Sequence, residues 1–161
     1  MVSACLKFFD CGRCVCNQLK EATEMNREEI KKILPHREPM LLIDEAECLP
    51  DGSAHGQLTV HGDEWFLQGH FPGNPVVPGV MLCEMMGQTC CVMLSDTIAG
   101  KTPYFTGMEK VKFHHPVKPG DMLDIHCEIV REFKNFYFTK CQCTVGGKLA
   151  ASGELSFALV G

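Results

Sequence analysis

Hydrophobic and polar residues trade places along the C-terminal third of the chain. Leu123, Ile125, Cys127 and Ile129 alternate with Asp124, His126, Glu128 and Val130, a period of two that predicts a strand with one buried and one wetter face. Residues 136–145 and 148–159 follow as a hairpin about Gly146–Gly147, a two-residue turn suited to positive φ. Upstream, residues 40–49 (MLLIDEAECL) and 53–61 (SAHGQLTVH) predict another hairpin across Pro50–Gly52. Residues 104–114 predict a further strand, closed by Pro116 and Pro119–Gly120.

Two stretches break that period. MNREEIKKILP, beginning at Met25, predicts a short helix with Asn26 as N-cap, Glu28 and Glu29 at its positive end, and Pro35 stopping it after Leu34. Residues 79–95 are apolar on nearly every side, which predicts a helix enclosed by the rest of the protein. One long apolar helix with five or six long antiparallel strands points to an α+β fold in which a curled sheet wraps the helix. No internal repeat or low-complexity segment is present.

Composition narrows the function classes. At 161 residues the chain is one domain over residues 25–161, preceded by residues 1–24, a Cys-rich extension without an apolar face. That extension reads as loosely ordered, or as an upstream start. A net charge of -5 argues against a nucleic-acid surface. No run of about 18 apolar residues spans a membrane. The start MVSACLKFF lacks the parts of a signal peptide, so the expected location is the cytoplasm. Eleven cysteines are an odd count, and Cys83, Cys90 and Cys91 fall inside the apolar helix, so they read as packing rather than disulfides. Cys11, Cys14 and Cys16 have part of a metal-ligand spacing, but no second pair follows, and no metal is expected.

The chemistry concentrates around residues 69–88. Three glycines and three prolines between Gly69 and Gly79 fix a backbone shape, and His70 rides on it. Glu84 is the single carboxylate of the apolar helix, so burial among Val80, Met81 and Met85 should raise its pKa and keep it protonated. A near-neutral histidine as base and a protonated carboxyl as acid make a candidate acid–base pair. The N–H of Gly79, at the helix start, is placed for an anion. Gln88 lies at i+4 from Glu84 and can orient its carboxylate. His36 reads as a residue that settles a turn, and the neighbours His114 and His115 point to opposite faces of a strand.

HFPGNPVVPGV with Glu84 and Gln88, LPHREPMLLID and VKFHHPVKPGD together resemble the FabZ family of (3R)-hydroxyacyl-(acyl carrier protein) dehydratases, over about residues 26–160. The resemblance implies a hotdog fold and dehydration to a trans-2-enoyl thioester in fatty acid synthesis, without metal or organic cofactor. It implies catalytic roles for His70 and Glu84 in a site shared by two subunits, in a homodimer assembled further as a hexamer. It also places Tyr104 and Phe105 at the mouth of an acyl tunnel, which Met81, Met85, Met86 and Phe113 could line. An acidic carrier protein needs a local basic patch, for which Lys101, Arg131 and Lys134 are the candidates. Glu38, Val77 and Gly87 depart from the family's usual pattern, where an aromatic, a methionine and an alanine are common. The rival readings are a hotdog thioesterase and a non-catalytic acyl-thioester-binding module.

Overall fold

The computed structural model describes residues 23–161. A short strand β1 (Thr23–Asn26) leads directly into helix α1 (Arg27–Ile33). Asn26 caps that helix as its sequence indicates. Its side chain accepts the N–H groups of Glu28 and Glu29 at 3.0 and 3.2 Å, and Glu29 returns a carboxylate to the Asn26 N–H at 2.9 Å. The capped helix buries Ile30.

Strands β2 (Glu45–Cys48) and β3 (Ala54–Thr59) come next, then a single 3-10 turn at Trp65–Leu67 and helix α2 (Gly79–Val92). Four long strands complete the chain: β4 (Thr102–Phe113), β5 (Met122–Phe133), β6 (Phe136–Val145) and β7 (Lys148–Val160). All pairings are antiparallel, and the order across the sheet is β1-β2-β3-β5-β6-β7-β4. Gly146 and Gly147 turn β6 into β7 with φ of 53° and 76°, the left-handed pair that a tight hairpin requires.

The sheet does not curl around one long helix, and that expectation is corrected. Among the described residues it is an open row of seven strands in which β1 and β4 are edges, with two α-helices. The inference failed because a sheet is not needed on every side of an apolar helix. α2 packs on β3, β5, β6 and β7, and α1 also touches it. Irregular segments supply further cover, through buried Leu41, Leu42, Ile43, Phe66, Leu67, Val77 and Ile98. Residues 40–43 were expected to be strand. Instead the Leu42 N–H donates to Gln88 Oε1 at 2.9 Å and the Met40 carbonyl accepts Gln88 Nε2 at 2.7 Å, so the helix takes groups a strand ladder would have used.

The period of two in β5 holds through Leu123, Ile125 and Cys127, all fully buried. A bulge between Ile129 and Arg131 then ends it. Cysteine serves as packing, as expected: six of the seven described cysteines are buried. Strand β1 includes Thr23 and Glu24, just before Met25. The rest of the expected extension, with Cys11, Cys14 and Cys16, lies outside the described residues.

Candidate active site

Helix α2 starts from a rigid approach. Pro78 is its N-cap and supplies no side-chain cap; its carbonyl accepts the N–H groups of Met81 and Leu82 at 2.9 and 3.3 Å, which leaves the Gly79 N–H available to an acceptor from elsewhere. A Cβ at Gly79 would come within 2.6 Å of the Phe113 ring, so only glycine lets that ring lie on the helix start. Glycine here therefore accommodates an aromatic of the same chain, in addition to leaving the N–H open.

His70 lies on the turn before that approach. Its N–H donates to the Leu67 carbonyl at 3.0 Å and its carbonyl accepts the Val76 N–H at 3.2 Å. Nδ1 lies 2.8 Å from the Val76 carbonyl oxygen. A carbonyl only accepts, so Nδ1 carries the proton and Nε2 of the neutral ring is the bare acceptor. The ring stacks on Phe71 with centroids 4.1 Å apart. The contact holds the neutral ring in one tautomer.

Glu84 faces a different set of partners. Its Oε1 accepts Gln88 Nε2 at 2.8 Å and lies 3.3 Å from His36 Nε2. Gln88 is almost fully buried, and its amide meets Glu84, Met40 and Leu42 at once, which fixes its orientation. Burial is the largest influence on the Glu84 carboxyl and pushes its pKa up. The bonds from His36 and Gln88, with the field of His36, together outweigh it and hold the carboxyl below its ordinary value. This corrects the expectation of a raised pKa. The surroundings differ as well, because Val80 is 71% exposed and gives no apolar cover.

His36 is the residue that sequence reasoning missed, since it was read as settling a turn. Its contact with Glu84 spans 48 positions of sequence, and its Nδ1 is buried without a partner. One signal was present, the short distance of His36 from Pro35 and Pro39, which fixes the backbone on both sides.

A cleft of about 300 Å³, its mouth included, opens beside Glu84 and is lined by His36, Gly87, Gln88, Cys91, Pro103, Phe105 and Phe157. Phe105 therefore joins Glu84 and Gln88, while His70 does not line this cleft in the single chain. Met85 and Met86 are wholly buried and Met81 nearly so, and none of the three lines it. Tyr104 and Phe113 are both more than half exposed on β4. Arg131 lies over the Phe138 ring at 3.8 Å and Lys134 over Phe133 at 5.4 Å. Register brings Thr102 opposite Val160 and Phe136 opposite Ala158, so Lys101 and Lys134 flank the same end of the sheet.

The FabA-like domain family matches residues 34–154, three quarters of the chain. A 3-hydroxyacyl-(acyl-carrier-protein) dehydratase FabZ of Clostridium perfringens is 43% identical over 137 residues, covering 84% of this chain and 99% of the relative. The chain belongs to the FabZ dehydratase family. The FabZ dehydratase of Oenococcus oeni is likewise 43% identical, over 138 residues, with the same coverage. Among solved structures, the dehydratase heterocomplex ApeI:P from Xenorhabdus doucetiae superposes with a TM-score of 0.72 over 82% of this chain and 91% of that one, at 22% identity. That similarity is one of fold, with the sheet open as described. Among the described residues no helix is long and apolar enough to cross a membrane.

Proposed function

We propose that this protein removes water from a (3R)-3-hydroxyacyl thioester carried by acyl carrier protein, giving the trans-2-enoyl thioester of fatty acid synthesis. The observation that carries the reaction class is 43% identity to a FabZ dehydratase across 99% of that relative's length. His70 Nε2, bare because Nδ1 is tied to Val76, takes the proton from C2. The electrons left on C2 form the double bond as the C3–O bond breaks. Glu84 gives its proton to the departing hydroxyl, which leaves as water.

For that last step Glu84 must be protonated, although the free chain holds its carboxyl low. An acyl chain in the cleft supplies the change. It excludes water, which strengthens the upward influence of burial, and it competes for the 3.3 Å gap to His36, which weakens the downward one. The open Gly79 N–H donates to the thioester oxygen as negative charge gathers there. Gln88 keeps the carboxyl aimed.

The site is completed by a second copy of the chain. β4 is a twelve-residue edge strand that exposes Tyr104, Met108 and Phe113, an unmanaged edge that a symmetric partner covers. His70 of one subunit then meets Glu84 of the other, and dimers assemble further into a hexamer. Tyr104, Phe105 and Phe113 form the mouth and wall of the acyl path, while Met81, Met85 and Met86 back it from the core. Lys101, Arg131 and Lys134, beside the end of the sheet that carries Pro103 and Phe105, receive the acidic carrier. The buried thiols of Cys83, Cys90, Cys91, Cys127, Cys141 and Cys143 fit a reducing, cytoplasmic compartment.

Incubating the protein with 3-hydroxyacyl carrier protein and following the products tests this reading. Accumulation of the enoyl thioester with the thioester bond intact supports it. Release of free carrier thiol without enoyl product would instead identify a thioesterase, and no turnover of any acyl length a binding module.

A further inference from the structure

The core between α2 and the sheet holds a cluster that the dehydration of a thioester leaves unused. Cys90 on α2, Cys127 on β5 and Cys141 on β6 bring their three sulfurs within 4.8 Å of one another. Cys127 and Cys141 are direct partners in the β5–β6 ladder, so both point to the helix side, and Cys90 descends onto them. The Cys90 and Cys141 sulfurs are 3.3 Å apart, and the Thr139 hydroxyl lies 3.3 Å from the first and 3.5 Å from the second. None of the three cysteines is more than 1% exposed.

We propose that this triad is a binding site for a trivalent, thiophilic metalloid, with inorganic arsenite as its representative ligand, held by the three cysteine sulfurs. Three observations favour that class over a divalent metal. The donors are sulfur, which selects soft centres. Charge is the second. Three thiolates around zinc leave a net negative charge, whereas three around arsenic(III) leave none. The buried polar residues described are Ser53, Gln88, Thr89 and Thr139, none of them a cation, so a charged centre would lie in an apolar core uncompensated. Spacing is the third. A tetrahedral zinc with bonds of about 2.3 Å spreads its sulfurs to about 3.8 Å. A pyramidal trivalent centre, whose bonds close towards right angles, holds them nearer together, in keeping with the 3.3 Å between Cys90 and Cys141.

The exchange balances without a redox partner. Arsenite, As(OH)3, loses three As–O bonds and gains three As–S bonds. The three thiol protons leave with the hydroxyl groups as three waters, and arsenic stays trivalent. Once formed, the centre ties α2 to β5 and β6 across the core.

The test uses the full chain with Cys5, Cys11, Cys14 and Cys16 changed to serine, so that they do not compete. This protein is incubated with sodium arsenite, both folded and during refolding from urea, and freed of excess ligand. The expected result is one arsenic per chain, with three sulfur neighbours and no oxygen by arsenic X-ray absorption, and a raised unfolding temperature. Cys127→Ala and Cys141→Ala should each abolish that three-sulfur species, while Cys83→Ala and Cys143→Ala should retain it. If the triad variants fail to fold, the absorption spectrum of the parent decides alone. Arsenic bound through fewer than three sulfurs, no uptake in either loading, or the three-sulfur species persisting in Cys141→Ala would overturn the proposal.

Discussion

The ring of Phe105, on edge strand β4, lies over Gly87 of α2 in the space that a Cβ at residue 87 would occupy. Helix propensity alone disfavours glycine there by about 1 kcal/mol against alanine. The aromatic contact explains its presence, because the ring closes one side of the cleft that contains Glu84. Gly87→Ala should therefore gain helix propensity and lose the ring contact, leaving stability within about 1 kcal/mol of the parent. The displaced ring should change the ratio of kcat/KM between short and long 3-hydroxyacyl substrates. An unchanged ratio across acyl lengths would show that Phe105 does not border the acyl path.

Gln88 joins the catalytic helix to the segment before β2. Replacing it with leucine keeps the volume but strands the buried Leu42 N–H, which should cost about 1–3 kcal/mol in urea unfolding. Glu84 loses an orienting donor in the same variant, so kcat should fall beyond what the loss of stability explains. A fully active Gln88→Leu protein would mean that His36 and the helix alone aim the carboxyl.

The contact of His36 with Glu84 has a sign that can be measured. Removing it in His36→Ala leaves burial as the larger influence, so the Glu84 titration midpoint, followed by carboxyl NMR, should move up. A depressed carboxyl stabilises the fold while ionised. That contribution is present above the unfolded value of about 4.3 and is lost as pH falls through the folded value. The variant should accordingly lose less stability than the parent on acidification below that value. A midpoint that stays or drops would remove His36 from the site.

Much of this arrangement was legible in the sequence, and the failures have physical causes. The Asn26 cap, the start of α2 at Gly79 and the Gly146–Gly147 hairpin were all readable, because each depends on residues within a few positions. The open sheet was not. Periodicity reports that a helix is buried, but residues 40–43 and 66–67, which share in covering α2, carry no period of their own. The lowered Glu84 pKa was missed for the same reason, since its cause comes from His36, far away along the chain. Family resemblance recovered the reaction and not that contact.

Two inactive proteins should make an active one. Mixing His70→Ala with Glu84→Gln after subunit exchange gives half of the dimers as hybrids, each with one intact pair, and so about a quarter of the parent's sites. Recovered activity near that level is the expected outcome. No recovery, with exchange verified by mass, would mean that both residues serve a site within one chain.

The most direct measurement is the rate of enoyl thioester formation from 3-hydroxyacyl carrier protein by the parent, by His70→Ala and by Glu84→Gln. Each substitution should lower kcat by about two to four orders of magnitude, the scale of a positioned base or acid, with unfolding temperatures close to the parent's. Parent-like turnover in either folded variant would contradict the assignment of His70 and Glu84 as the base and acid of the dehydration.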